Sequence, residues 1–180
     1  MLKRKALTDL LSLLKGRSNS LFRAMENIEN SKEHINVETK DKFLFYLDNL
    51  ACAITSIDLV LGDEGDKISK IKLEELCKNI LIVFEQDYNY LVALDKKITR
   101  EGDVLSETEG QPLYEDTKKL SNDVKSLEAK YESHKMGLLQ EYKYIKEIFI
   151  GLTSTDDSFN TFKIKLNNMA NEVFTYIELA

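Results

Sequence analysis

An all-α fold is predicted by three features of this sequence. Apolar residues recur at three- and four-residue spacing along most of its length, glycines fall mainly where those repeats stop, and only one proline and seven glycines occur among 180 residues. That count of turn residues is too low for a β-sandwich. The expected architecture is a helical bundle of five to six helices built around a long antiparallel coiled-coil-like pair, all in one domain spanning residues 1–180. At 43% apolar and 31% charged, the chain belongs with globular proteins rather than disordered polyelectrolytes. A compact fold of this size buries roughly 70% of the surface its unfolded chain exposes, so its core needs neither disulfide nor metal.

The first expected block, residues 1–35, holds two basic helices. In residues 2–15, Leu7, Leu10, Leu11 and Leu14 share one helical face, and the stretch Gly16-Arg17-Ser18-Asn19 reads as a break. Leu21, Phe22, Met25 and Ile28 then mark a second helix over 20–33. Residues 40–99 read as a helical hairpin. Its first arm places Phe43, Leu47, Leu50, Ile54, Ile57 and Leu61 at alternating spacings of four and three, the pattern of a heptad seam, with Thr39 as N-cap and Gly62 as stop. The second arm, 67–99, spreads its apolar residues over a broad face, from Ile68 and Ile71 through Phe84 to Ile98, as a helix with two neighbours would. Asp66 is placed to cap it after the turn at Gly65.

Residues 99–112 read as a solvated acidic loop, with Glu101, Asp103, Glu107 and Glu109, two glycines, and Pro112 opening the next helix. The helix over 113–150 is the longest, roughly 57 Å at the standard rise. Its seam runs Leu113, Thr117, Leu120, Val124, Leu127, Tyr131, His134 and Leu138, then shifts by a stutter beside Gly137, where a bend or a close approach is expected. After Gly151, the cluster Thr153–Ser158 offers N-caps for a last helix over about 157–178, carrying Phe159, Phe162, Leu166, Met169, Val173 and Ile177.

Charge narrows the partners. The chain carries a net −6, yet residues 1–23 hold six bases (Lys3, Arg4, Lys5, Lys15, Arg17 and Arg23) against the single acid Asp9, a local +5 that leaves −11 on the remainder. The acidic whole argues against nucleic-acid binding. The basic start either docks on the acidic body or touches an anionic surface such as a membrane, and docking is the expectation, because four aligned leucines otherwise form an exposed patch. The run Ala6–Leu14 is interrupted by Asp9 and lacks a small-residue cleavage site, which argues against a secretory signal. No stretch approaches about 18 consecutive apolar residues. A cytoplasmic location is expected.

Catalytic and metal-binding patterns are sparse. Neither His34 nor His134 has a glutamate three positions before it, so the paired Glu-x-x-His sites of carboxylate-bridged metal bundles are absent. There is no nucleophile elbow, no phosphate loop and no dinucleotide-binding glycine pattern. Cys52 and Cys77 form no zinc spacing and are expected to be buried, inert thiols at nearly equal height on the two arms of the 40–99 hairpin. His134, on the long seam, is expected to be a core or half-buried histidine with one hydrogen-bond partner. The acidic turn Asp63-Glu64-Gly65-Asp66 lacks the spacing of a calcium loop. In each of the pairs Tyr88/Tyr90 and Tyr142/Tyr144 the members face different sides of a helix, as boundary residues do.

No enzyme activity, cofactor, metal or small-molecule substrate is therefore expected. The leading expectation is a non-enzymatic protein–protein interaction module (an adaptor, scaffold or complex subunit) with a protein partner or self-association, acting through exposed apolar helical faces. The candidate partner-binding residues are Leu7, Leu10, Leu11 and Leu14 with Lys3, Arg4, Lys5, Lys15 and Arg17. The first alternative is a basic amphipathic N-terminus on a membrane or nucleic acid. The second is a small-ligand site or unfamiliar enzyme inside the bundle.

Overall fold

The computed structural model describes residues 2–30, 36–63, 68–108, 114–152 and 158–179. They form five helices: α1 (Arg4–Asn30), α2 (Val37–Gly62), α3 (Lys70–Thr108), α4 (Tyr114–Gly151) and α5 (Ser158–Leu179). No strand occurs among the described residues, so the class is all-α.

Two compact units divide the chain, one formed by Met1–Glu85 and Glu141–Ala180, the other by Gln86–Gln140. The core of the first is built from one stripe of each helix: Leu7, Leu10 and Leu14 of α1, Leu50, Ile57 and Val60 of α2, Leu76, Ile80 and Phe84 of α3, Ile145 and Ile148 of α4, and Leu166 of α5 are all buried. Each such side chain contributes about 1.5–3 kcal/mol by leaving water. α1 packs against α2. Asn79 Nδ2 donates to Ser56 Oγ at 2.7 Å, and Lys72 Nζ donates to both oxygens of Asp63 at 3.1 and 2.9 Å. These two contacts lie seven residues apart on each helix in opposite directions, so α2 and α3 pair antiparallel over this stretch, in one register. In the second unit, Leu91 and Leu94 of α3 and Val124, Leu127, Tyr131 and Leu138 of α4 are buried.

Several boundaries differ from those the periodicity implies. α1 is one helix, not two, and runs through Gly16 without interruption. A Cβ at Gly16 would meet nothing within 4 Å, so no close approach requires the glycine there. A mid-helix glycine costs about 1 kcal/mol, less than the flanking helix recovers by burying Leu7, Leu10 and Leu14. α2 begins at Val37 rather than 40, because Asn36 caps it: its side chain accepts from the Glu38 N–H at 3.1 Å, which leaves Thr39 inside the first turn. α3 continues to Thr108, through most of the segment expected to be a loop. Glutamate and arginine are good helix formers, so acidic composition there marks a solvated helix rather than a loop. Gly102 also has open space around it. The buried stripe of α2 is centred on Leu50, Ala53, Ile57 and Val60, rotated from the expected seam, whose Phe43, Ile54 and Leu61 are only half-buried.

The helices over 113–150 and 157–178 match α4 and α5 closely. His34, the Gly65 and Asp66 turn, Gly110, Pro112, Leu113 and Thr153–Asp157 lie outside the described residues.

Candidate functional site

The basic N-terminal segment is tied into its own unit. Leu7, Leu10 and Leu14 are fully buried and Leu11 is half-buried. Arg4 donates from its guanidinium to the carbonyls of Leu61 at 3.2 Å and Asp63 at 2.6 Å. Those carbonyls belong to the end of α2, where helix groups lack intrahelical partners and the dipole favours a cation. Arg17 Nη1 donates to Glu141 Oε2 at 2.8 Å, and the Glu141 side chain is only 1% exposed. Lys15 lies 3.9 Å from Asp58 on the surface. Lys3 and Lys5 are exposed.

Asp63 serves as a hub between three elements rather than as an open cation ligand. Its carboxylate holds Lys72 of α3 and its carbonyl accepts from Arg4 of α1. His134 departs from expectation. It is exposed, not half-buried, and its ring sits edge-on against Tyr90 with centroids 4.8 Å apart at 73°. Position 134 completes the seven-residue spacing but lies at the rim of the buried stripe. Tyr142 packs against Phe84 with centroids 6.1 Å apart.

The two cysteines have opposite environments. Cys77 is buried, and burial, with the Glu74 carboxylate as a second cause, pushes its thiol up to about 12 from an ordinary 9.0. Cys52 is exposed, contrary to expectation. The register defined by Ser56–Asn79 sets Cys52 level with residue 83, six positions from Cys77, so the thiols differ in height by about 9 Å. They are not a matched pair across the hairpin. Among the described residues, no group of three or more His, Cys, Asp or Glu is placed to hold a metal ion.

The apolar spacing did not single out the opposite face of α2. Leu44, Phe45 and Leu59 are exposed there, with Ile71 at the start of α3, Phe45 at 63%, Leu59 at 54% and Ile71 at 75%. Ala51, Cys52, Thr55, Ser56 and Leu59 of α2 and Ile71, Lys72, Glu75 and Asn79 of α3 line a groove of about 420 Å³. The signal was present in the sequence: α2 carries more apolar residues than one seam uses, and the surplus at 44, 45 and 59 recurs on a second face. Correspondingly, α2 is the one helix among the described residues long and apolar enough to cross a membrane. Its mean hydropathy reaches 1.5 over eighteen residues, a third of them buried. The same helix carries exposed Asp48 and Asp58.

No protein-family model, no curated protein and no solved structure matches the chain.

Proposed function

We propose that the chain is a non-enzymatic interaction module, an adaptor, scaffold or complex subunit, that docks a protein through the exposed apolar face of α2 and the start of α3. The observation that carries this reading is the exposure of Leu44, Phe45 and Leu59 along one face of α2, with Leu59 and Ile71 lining a groove at its C-terminal half. Large apolar side chains left exposed along one helix face mark a candidate interaction site, because leaving them in water forfeits the free energy their burial would supply. Aromatic and aliphatic anchors entering a groove are how helical surfaces bind one another.

The framework within this proposal is a bundle around an antiparallel, coiled-coil-like pairing of α3 with α4. It is supported by the seven-residue spacing of the seam and by one ring contact in each unit, Phe84 with Tyr142 and Tyr90 with His134. The basic N-terminus is a poorer docking surface, since Leu7, Leu10 and Leu14 are buried and Arg4, Lys15 and Arg17 contact the protein's own carbonyls and carboxylates.

The test is the native particle. Tagged full-length chain, extracted under mild conditions from its own source, is expected to run well above monomer mass on a sizing column. The double variant Phe45→Asp/Ile71→Asp is expected to run as a monomer with an unchanged far-UV spectrum. A wild-type monomer in the extract, or a large particle that survives the double variant, would overturn the reading.

A further inference from the structure

We infer that the exposed face of α2 pairs with the same face of a second copy of this chain, the two α2 helices antiparallel about a two-fold axis at Cys52. The inference rests on the reading of that face as an interface and names its occupant.

Its ground is the symmetry of the stripe. Phe45 and Leu59 each lie seven residues from Cys52, two turns to either side, and Asp48 and Thr55 lie four and three residues from it. Under a two-fold axis at Cys52, Phe45 of one copy falls level with Leu59 of the other, about 10 Å from the axis. Leu59 flanks the groove that Cys52, Thr55 and Ile71 complete. A protruding aromatic ring therefore meets an apolar groove, and the symmetry makes that contact twice. A patch that presents its own knob and groove to each other across a two-fold axis closes as a dimer rather than growing into a filament.

Charge selects the same direction. In a parallel, in-register pair Asp48 would face Asp48, Phe45 would face Phe45 and both grooves would stay empty. In the antiparallel pair Asp48 falls beside Thr55 of the other copy, whose hydroxyl can donate to its carboxylate. Area sets the strength. Leu44, Phe45, Leu59 and Ile71 expose on the order of 450 Å² per copy, so with the polar rim the pair reaches only the low end of stable interfaces. In such a pair Asp48 limits affinity while fixing orientation.

Cys52 reports on the pairing without further engineering, because Cys77 is buried with its thiol held protonated. Purified full-length protein at tens of micromolar is treated with a short bis-maleimide and examined in parallel by analytical ultracentrifugation. A crosslinked dimer is expected in wild type and in Cys77→Ser, absent in Cys52→Ser, and at least tenfold reduced in Phe45→Asp. Orientation is read in a Cys52→Ser background by mixing Asp41→Cys with Gly62→Cys, two exposed positions that the antiparallel pair brings together. The mixture is expected to crosslink and each variant alone is not.

Three results would overturn the inference: a strict monomer at every concentration, a dimer that survives Phe45→Asp, or crosslinking of Asp41→Cys or Gly62→Cys to itself. Capture of the monomer by phosphatidylcholine–phosphatidylserine vesicles through Phe45, with no dimer, would assign the face to a lipid surface instead. A monomeric purified chain whose native particle still collapses in Phe45→Asp/Ile71→Asp would remove the second copy and leave the interaction-module reading standing.

Discussion

Cys77 and Gly16 show how single positions bear on stability. The Cys77 thiol stays protonated in the fold up to about 12 and ionises near 9.0 once the chain unfolds. Its pKa is raised by folding, so its contribution is whole below pH 9 and is lost as pH rises toward 12. Over that window the unfolded chain has released a proton that the native state keeps, and stability falls by about 1.4 kcal/mol per pH unit on this account. Urea denaturation at pH 9 to 11 should therefore show a shallower pH slope in Cys77→Ala than in wild type. Equal slopes would mean that the thiol is solvated. Gly16 is helical with open space where a Cβ would sit, so Gly16→Ala should raise stability by about 0.5–1 kcal/mol. A lower melting temperature in that variant would mean that the backbone at residue 16 is not helical in solution.

Among the helices, α1 is the clearest case of an element held by tertiary contacts. Its buried residues, Ala6, Leu7, Leu10 and Leu14, all lie in the first half, and Arg4 supplies the end of α2 with donors. Deleting residues 1–17 should therefore lower the melting temperature by well over 5 °C, since three buried leucines alone represent several kcal/mol. An unchanged transition would detach α1 from the core. Helix existence was legible over most of the chain, because period and composition are local properties, but residues 99–108 read as loop and are helix. Boundaries were less legible: α2 starts at its Asn36 cap, three residues before the start that Thr39 implied. Gly62 ended α2 as expected, whereas Gly16 and Gly102 did not end helices, because a glycine stops a helix only when the chain there must turn. Whether it must turn depends on tertiary contacts such as Arg17 with Glu141, which no local window contains.

Across the whole molecule, the candidate site was half legible. The surplus of apolar residues on α2 is visible in the sequence, but which of its two faces the fold covers is not, since a helix apolar on both sides carries no internal sign of orientation. The basic N-terminal cluster drew attention because charge asymmetry is conspicuous, and much of it turned out to bond within its own unit. The Arg17–Glu141 pair carries a further consequence, in time rather than in space. It joins residues 124 apart in sequence, while Ser56–Asn79 and Asp63–Lys72 join residues 23 and 9 apart. Closing a flexible loop of 124 residues costs about 4 kcal/mol of chain entropy, so short-range hairpins should form first and the long-range closure last. Arg17→Met should then leave the folding rate nearly unchanged and speed unfolding, by roughly 30-fold if the lost charge-assisted hydrogen bond to Glu141 contributes about 2 kcal/mol. Stopped-flow chevrons would decide this, and a slowed folding limb would place the contact in the nucleus. If closure comes last, it is also the first to open, and α1 becomes the segment through which the native chain begins to come apart.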